Sequence, residues 1–388
     1  MNNWKRGFER KRVVVAMSGG VDSSVAAALL KEAGHEVTGM MMRLWSEPGT
    51  GSANRCCSPD SMALARRVAA QLDIPFYAVD AQNFFHDTVV TFFQDGYAQG
   101  VTPNPCLVCN RRVRWEFLLE RALAIGADFM ATGHYARLQS DQTGQARLLR
   151  ALDSAKDQSY VLHVLNQEQL AHALFPLGEF TKPQIRQMAR DFGLPVAERA
   201  DSQDLCFLGD GDYRSFLLRN RPEVASPGPI LNRAGEQIGE HDGLAFYTIG
   251  QRRGLGIAAP DPLYVIEKDR ARNALIVGTR EELGNSELVA GEVNWVSGGP
   301  PEGAFRAEVK IRYKAREAYA TVTPVGENRA HVCFDEPLRD ITPGQAAVFF
   351  DGDLVLGGGI IQSNIEDPNR TPMNGSSLTG SRMIEEER

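Results

Sequence analysis

The chain has 388 residues, 43% hydrophobic and 23% charged, with a formal net charge of -7. That length predicts a globular protein of two or three domains, and the acidic balance excludes non-specific nucleic-acid binding driven by overall charge while leaving local basic surfaces free to act. No apolar run reaches bilayer length, the basic stretch 1–12 lacks an apolar signal core, and six cysteines in so long a chain make no secreted disulfide framework, so a cytoplasmic protein without a membrane span is expected.

Val13-Val14-Val15-Ala16 reads as a buried parallel strand feeding the loop Met17-Ser18-Gly19-Gly20-Val21-Asp22-Ser23-Ser24. Asp22 or Ser23 is expected to cap the next helix, whose Val25, Ala26, Leu29 and Leu30 fall at inward-facing spacing. Gly19 and Gly20 permit close backbone approach to a ligand, and the free N–H groups of a helix start favour an anion. The Gly-Lys-Ser/Thr of a Walker A loop is missing. The segment resembles the PP-loop of N-type ATP pyrophosphatases, which implies cleavage of ATP between its α and β phosphates and adenylation of a substrate.

An α/β rhythm continues with a strand over Glu36–Met42, a helix over Pro59–Leu72, a strand over Pro75–Asp80 and helices over Asn83–Gln99 and Arg111–Ile125. A strand over Phe129–Gly133 follows, then a helix over Pro183–Phe192 capped by Thr181 and stopped by Gly193. Ligands of such sheets sit at the carboxyl ends of the strands. This rule gathers Ala16, Met17, Ser18, Gly19, Gly20, Val21, Asp22, Ser23, Met42 and Gly133 as nucleotide-binding candidates, with His134 beside them and Met40 as core.

After about residue 210, short segments punctuated by Pro227-Gly228-Pro229, Asn232-Arg233-Ala234-Gly235 and Gly250 predict mostly β structure. The expected division is an α/β, Rossmann-like domain over 1–210, a small β domain over 211–284, a β-barrel over 285–363 and a disordered polar tail over 364–388. A strand over Glu308–Arg316 would set Lys310, Arg312, Lys314 and Arg316 on one face, about 7 Å apart, as a phosphate-tracking stripe, with Val309, Ile311 and Tyr313 on the other.

Pro103-Asn104-Pro105-Cys106-Leu107-Val108-Cys109-Asn110 places two thiols in a Pro-rich turn leading into the helix near Arg111. Arg111, Arg112, Arg114 and a helix N-terminus are expected to draw a thiol from about 8.5 toward neutrality. A third thiol, Cys206, lies within Asp201-Ser202-Gln203-Asp204-Leu205-Cys206-Phe207-Leu208-Gly209. Zinc lacks its second half-site and a thioredoxin-like pair lacks its fold context, while redox exchange with Cys206 stays open. Cys333 reads as a small buried hydrophobe, and Cys56 and Cys57 receive no chemical role.

Taken together, Ala16 to Ser24, Cys56-Cys57-Ser58, Gly100 to Asn110, Ala131 to Tyr135, Lys156 to Tyr160, Asp201 to Gly209, His241 to Gly256 and Pro343-Gly344-Gln345 closely resemble the tRNA-specific 2-thiouridylase (MnmA) family. The resemblance covers nearly the whole chain. It implies an enzyme that adenylates O2 of the wobble uridine with ATP and Mg²⁺ and replaces it by sulfur, with Cys206 as persulfide, Cys109 as nucleophile and a transient disulfide between them. It further implies tRNA contacts at Asn104, Pro105, Cys106, His134, Lys156, Asp157, Gln158, Arg312, Tyr313 and Gln345, and a sulfur-donor protein as partner of a monomer. Cys106 departs from the best-known form, which carries an aspartate acid/base there; an alternative is that Cys106, Cys109 and Cys206 ligate an iron-sulfur cluster. A small-molecule PP-loop ligase and a non-catalytic RNA-binding thiol protein are the competing readings.

Overall fold

The computed structural model describes residues 9–48, 58–200, 205–208 and 212–362. Cys56, Cys57, Asp201 to Asp204, Gly209 and the tail fall outside them. Strands β1 (Arg12–Ala16), β2 (Glu36–Arg43), β3 (Phe76–Asp80) and β4 (Phe129–Thr132) alternate with helices α1 (Val21–Glu32), α2 (Pro59–Gln71), α3 (82–98) and α4 (105–124). Strands β5 (Arg137–Ser140) and β6 (Ala146–Leu149) form a hairpin, after which β7 (Ala173–Leu174) completes a five-stranded sheet of order β3-β2-β1-β4-β7. Its pairings are parallel. Helices cover both faces, so Val13, Val14 and Val15 of β1 are all buried, as a doubly covered strand requires. The chain runs from β1 outward to β2 and β3, then back across to β4, and the resulting switch point opens a crevice beyond β1 and β4.

Helix α4 starts at Pro105, earlier than the expected Arg111, because Asn104 caps it: its side chain accepts from Cys106 N at 3.1 Å, and proline suits the first helical position. Cys106 therefore lies in the first turn of a helix and Cys109 within its body. The ten residues Cys109–Leu118 form a wide π-helical stretch, a geometry found often at functional positions. Helix α5 (Lys182–Asp191) has Thr181 at its N-cap, with Gln184 Oε1 accepting from Thr181 N at 2.8 Å, and stops at Gly193, φ +63.

Helix α6 (Tyr213–Asn220) leads into a four-stranded sheet of order β10-β11-β8-β9, from β8 (Gly228–Leu231), β9 (Gln237–His241), β10 (Tyr264–Asp269) and β11 (Ala274–Gly278). Then β12 (Asn285–Trp295), β13 (Phe305–Lys310), β14 (Ala318–Pro324), β15 (Ala330–Leu338), β16 (Ala346–Asp351) and β17 (Leu354–Ile361) form a barrel in the order β12-β15-β14-β13-β16-β17, closed by the pairing of β12 with β17. Alternation fills it with Val309, Val322, Val332, Phe334 and Phe349. That alternation corrects one expectation: Cys333, between inward Val332 and Phe334, is exposed. A second correction concerns the basic stripe. Strand β13 ends at Lys310, whose Nζ pairs with Glu317 at 3.1 Å, and Arg312 turns inward to donate to Ile249 O at 3.1 Å and to Thr342 Oγ1.

The barrel is stitched to the first domain. Leu149 of β6 pairs with Leu354 of β17, so the β5–β6 hairpin extends the barrel sheet. Arg150 reaches across to Glu317 at 2.8 Å and Glu308 at 3.3 Å, and Arg137 to Asp353 at 2.5 Å. Burial alone would raise the Glu317 carboxyl, but hydrogen bonds from Arg150 and Lys310 outweigh it and hold the group at about 2. A depressed carboxylate stabilises the fold above its ordinary value near 4.5 and loses that contribution as pH falls toward 2. Glu317→Gln should therefore melt below the wild type at neutral pH, with the gap narrowing below pH 4.5 and closing near pH 2; a gap constant across that window in thermal melts contradicts this account.

Candidate active site

The crevice at the switch point holds a cavity of about 340 Å³. Its wall takes Ala16 and Met17 from the end of β1, Ser18 and Gly20 to Ser23 from the loop, Met42 from β2, and Gly133 with His134 beyond β4. The three strand ends thus converge as expected. The loop is shaped by glycine: Gly19 has φ +70, and a Cβ there would lie 2.3 Å from Ser61 O. Gly20, not Asp22 or Ser23, stands at the N-cap of α1, without a side-chain cap. The two polar residues fall in the first turn instead, because each is engaged elsewhere. Ser23 Oγ accepts from Ser18 N at 3.1 Å, and Asp22 accepts from Lys182 Nζ at 2.7 and 2.8 Å and from Tyr135 OH at 2.7 Å.

Tyr135, Lys182 and Arg199, which carry no local sequence signal of a nucleotide site, line the cavity, as does Arg114 of the cysteine helix. Lys182 lies 160 residues beyond Asp22 and brings to the loop the lysine that its own sequence lacks. Only its place at the start of α5, after Thr181 and before Pro183, hinted at a fixed position. Arg199 steadies the loop from behind, donating to Gly19 O at 2.8 Å and Ser61 Oγ at 2.7 Å.

His134 is buried, and both ring nitrogens are used. Arginine only donates, so His134 Nε2 accepts from Arg114 Nη1 at 2.9 Å, which places the ring proton on Nδ1, donated to Thr132 Oγ1 at 2.7 Å. Burial, reinforced by the Arg114 charge, holds the imidazole well below its ordinary range, so it stays neutral.

Cys106 is exposed, Cys109 buried and Cys206 half-buried. Cys109 and Leu107 belong to the same apolar cluster against which Leu205 and Cys206 pack, so both cysteine segments reach one core. None of the three thiols lines the cavity, whereas Arg114, one wide turn on from Cys109 in α4, does. Lys156, Gln158 and Tyr313 close the cavity toward the barrel. The Tyr313 hydroxyl is pushed up by burial and by the charges of Asp157 and Cys106, with Lys156 opposing.

The remaining candidates are held within the fold. Asp157 is buried and accepts from Ala151 N at 2.8 Å and Ser159 Oγ at 2.7 Å. Gln158 Oε1 accepts from Tyr135 N at 3.0 Å. Gln345 Nε2 donates to Thr102 O at 2.8 Å, fixing the segment just ahead of Asn104 and Pro105. Among the described residues, no group of three or more His, Cys, Asp or Glu is placed to hold a metal, and no helix is long and apolar enough to cross a membrane.

Residues 11–210 match the family model described as tRNA methyl transferase HUP domain, 214–279 the tRNA methyl transferase PRC-barrel domain and 285–361 the aminomethyltransferase beta-barrel domain. The tRNA-specific 2-thiouridylase MnmA of Moorella thermoacetica is 50% identical over 353 residues, covering 90% of this chain and 99% of its own. The protein of the same name from Geobacter metallireducens is 52% identical over 359 residues, covering 91% and 97%. Among solved structures, the U34-tRNA thiolase NcsA from Methanococcus maripaludis with its 4Fe-4S cluster aligns over 56% of this chain and 68% of that one, at 20% identity and a TM-score of 0.33, too slight a likeness to carry an argument.

The Asp22–Lys182 pair yields a stability prediction. Lys182→Met should cost about 2 kcal/mol in denaturant unfolding, because it leaves a partly buried carboxylate short of its cation, and adding Asp22→Asn should recover part of that loss. Strictly additive losses in the double variant would mean that the two side chains are not coupled.

Proposed function

The chain belongs to the tRNA-specific 2-thiouridylase (MnmA) family, and we propose on that premise that it is an ATP-dependent tRNA-uridine 2-sulfurtransferase acting on the wobble uridine. The observation that carries the reading is a phosphate loop whose cavity is bordered by the helix bearing Cys106 and Cys109. The matching family descriptions name methyl transfer, but the relatives matched over their whole length are thiouridylases, and a phosphate loop beside paired thiols suits activation followed by sulfur transfer.

A uracil carbonyl oxygen is a poor leaving group. Attack of O2 on the α phosphate forms the adenylate and releases pyrophosphate, which the loop from Ser18 to Ser23 and Lys182 hold by backbone N–H groups and charge. Adenosine lies toward Met42 and Gly133. Asp22, on the cavity wall, would hold Mg²⁺, which would supply charge neutralisation for the phosphates. The terminal sulfur of a Cys206 persulfide attacks C2, and the C2–O bond breaks with AMP as leaving group. Cys109 thiolate then attacks Cys206 Sγ, which forms a disulfide between the two and releases 2-thiouridine. A dithiol reductant and a sulfur-donor protein restore the thiols and the persulfide.

The base must leave its stack to reach these groups, at a cost of a few kcal/mol. Tyr313, exposed and tilted against Tyr160 at 6.2 Å between ring centroids, offers it an aromatic face, with Lys156 on the same cavity wall. Asp157, Gln158, Gln345 and Arg312 serve the RNA by fixing this surface. The cluster alternative is not carried further, because Cys106, Cys109 and Cys206 are not arranged as a metal-holding group. We further propose a cytoplasmic monomer with the domain limits expected from the sequence.

Incubating the protein with tRNA, ATP, Mg²⁺ and a sulfur source should retard the RNA in a mercury gel, with pyrophosphate release that depends on tRNA. Release that depends instead on a small carboxylate or nucleotide favours a small-molecule ligase. Cys109→Ser and Cys206→Ser should each abolish thiolation with tRNA affinity nearly intact, and thiolation retained in either removes that residue from the mechanism. Asp22→Ala should block pyrophosphate release itself.

A further inference from the structure

When the activated C2–O bond breaks, its electron pair passes to the oxygen that departs with AMP. A fixed cation between nucleotide and thiols would stabilise that charge as it forms. We propose that Arg114 is a further catalytic residue, whose guanidinium receives the departing AMP phosphate, and that His134 is its positioning residue; the proposal rests on the thiolation reading above.

Three observations carry it. Arg114 lines the nucleotide cavity although it belongs to the cysteine helix, in the wide-turn stretch that begins at Cys109. Its guanidinium is held from two elements: His134 Nε2 accepts from it at 2.9 Å and Asn110 Oδ1 at 3.4 Å, while Asn110 Nδ2 donates to Cys106 O at 3.0 Å. His134 is locked in turn by Thr132 Oγ1 at 2.7 Å. A chain of hydrogen bonds thus runs from the end of β4, where the phosphate loop abuts, to the turn bearing Cys106, with the cation at its centre. Lys182 is tied to Asp22 at the loop, so Arg114 supplies charge on the thiol side of the cavity, where the bond to AMP breaks. The imidazole spends its acceptor nitrogen on the guanidinium and so orients it rather than acting as a base.

The test uses the full chain and single-turnover thiolation at saturating ATP and tRNA. Arg114→Gln, similar in bulk but neutral, should lose about 100-fold in rate with tRNA affinity and melting temperature near those of the wild type. Arg114→Lys, which keeps the charge, should run about tenfold faster than Arg114→Gln. His134→Gln, which keeps an acceptor toward the guanidinium, should outperform His134→Leu. The proposal is overturned if Arg114→Gln stays within about threefold of wild type, or if the lysine variant is no better than the glutamine one, the ranking a merely structural arginine would give. Should Arg114→Gln fail to fold, the lysine variant is compared with wild type, and equality with the inactive Cys109→Ser protein overturns the proposal. Absence of thiolation by the wild type sinks the functional reading itself and is scored separately.

Discussion

The site depends on how closely the end of β4 approaches the first turn of α1. A Cβ on Gly133 would lie 2.7 Å from Ser23 N and 2.9 Å from the carbonyl carbon of Asp22, so only glycine lets these backbones meet. That contact brings the phosphate loop and the residues after β4 to one wall. His134 and Tyr135, the next two residues, then reach in opposite directions: His134 to Arg114 on the cysteine helix and Tyr135 to Asp22 on the loop. One bare α-carbon thus joins the loop after β1 to residues that reach the helix bearing Cys106 and Cys109.

The barrel contributes by holding the segment that precedes the cysteine turn. Thr102 N donates to Pro343 O at 3.1 Å and Thr102 O accepts from Gln345, while Gly344, at φ +90, lies so close that a Cβ would meet Thr102 O at 2.9 Å. Arg312 ties Thr342 of the same turn to Ile249 of the middle domain. All three domains therefore bear on the backbone just before Asn104 and Pro105, and Arg312 and Gln345 of the barrel are part of the scaffold that holds the turn bearing Cys106.

Much of this was legible in the sequence where the signal is local. The unbroken run Val13 to Ala16 marks a strand covered on both faces, and the glycines with flanking serines mark an anion loop. Lys182 and Arg199 are not legible in the sequence, and Arg114 is legible only as a charge near the thiols, because a cation fixed by partners far along the chain has no local pattern, as the 160-residue separation of Lys182 and Asp22 illustrates. The basic stripe misled for the opposite reason: alternation of Lys310, Arg312, Lys314 and Arg316 satisfies the period of a strand, but Glu317 and Thr342 draw Lys310 and Arg312 into the structure. At Cys333 the alternation of Val332, Cys333 and Phe334 sets the thiol outward, against the burial habit of its residue type. The start of α4 is ambiguous in the sequence because the fixed φ of Pro105 suits a turn and a first helical position equally.

Because β6 hydrogen-bonds to β17, cutting the chain ahead of the barrel would bare a strand edge carrying Leu148, a residue otherwise shielded from water, and such edges recruit other chains. Separated from its barrel, the first domain would carry an unpaired strand edge on its surface.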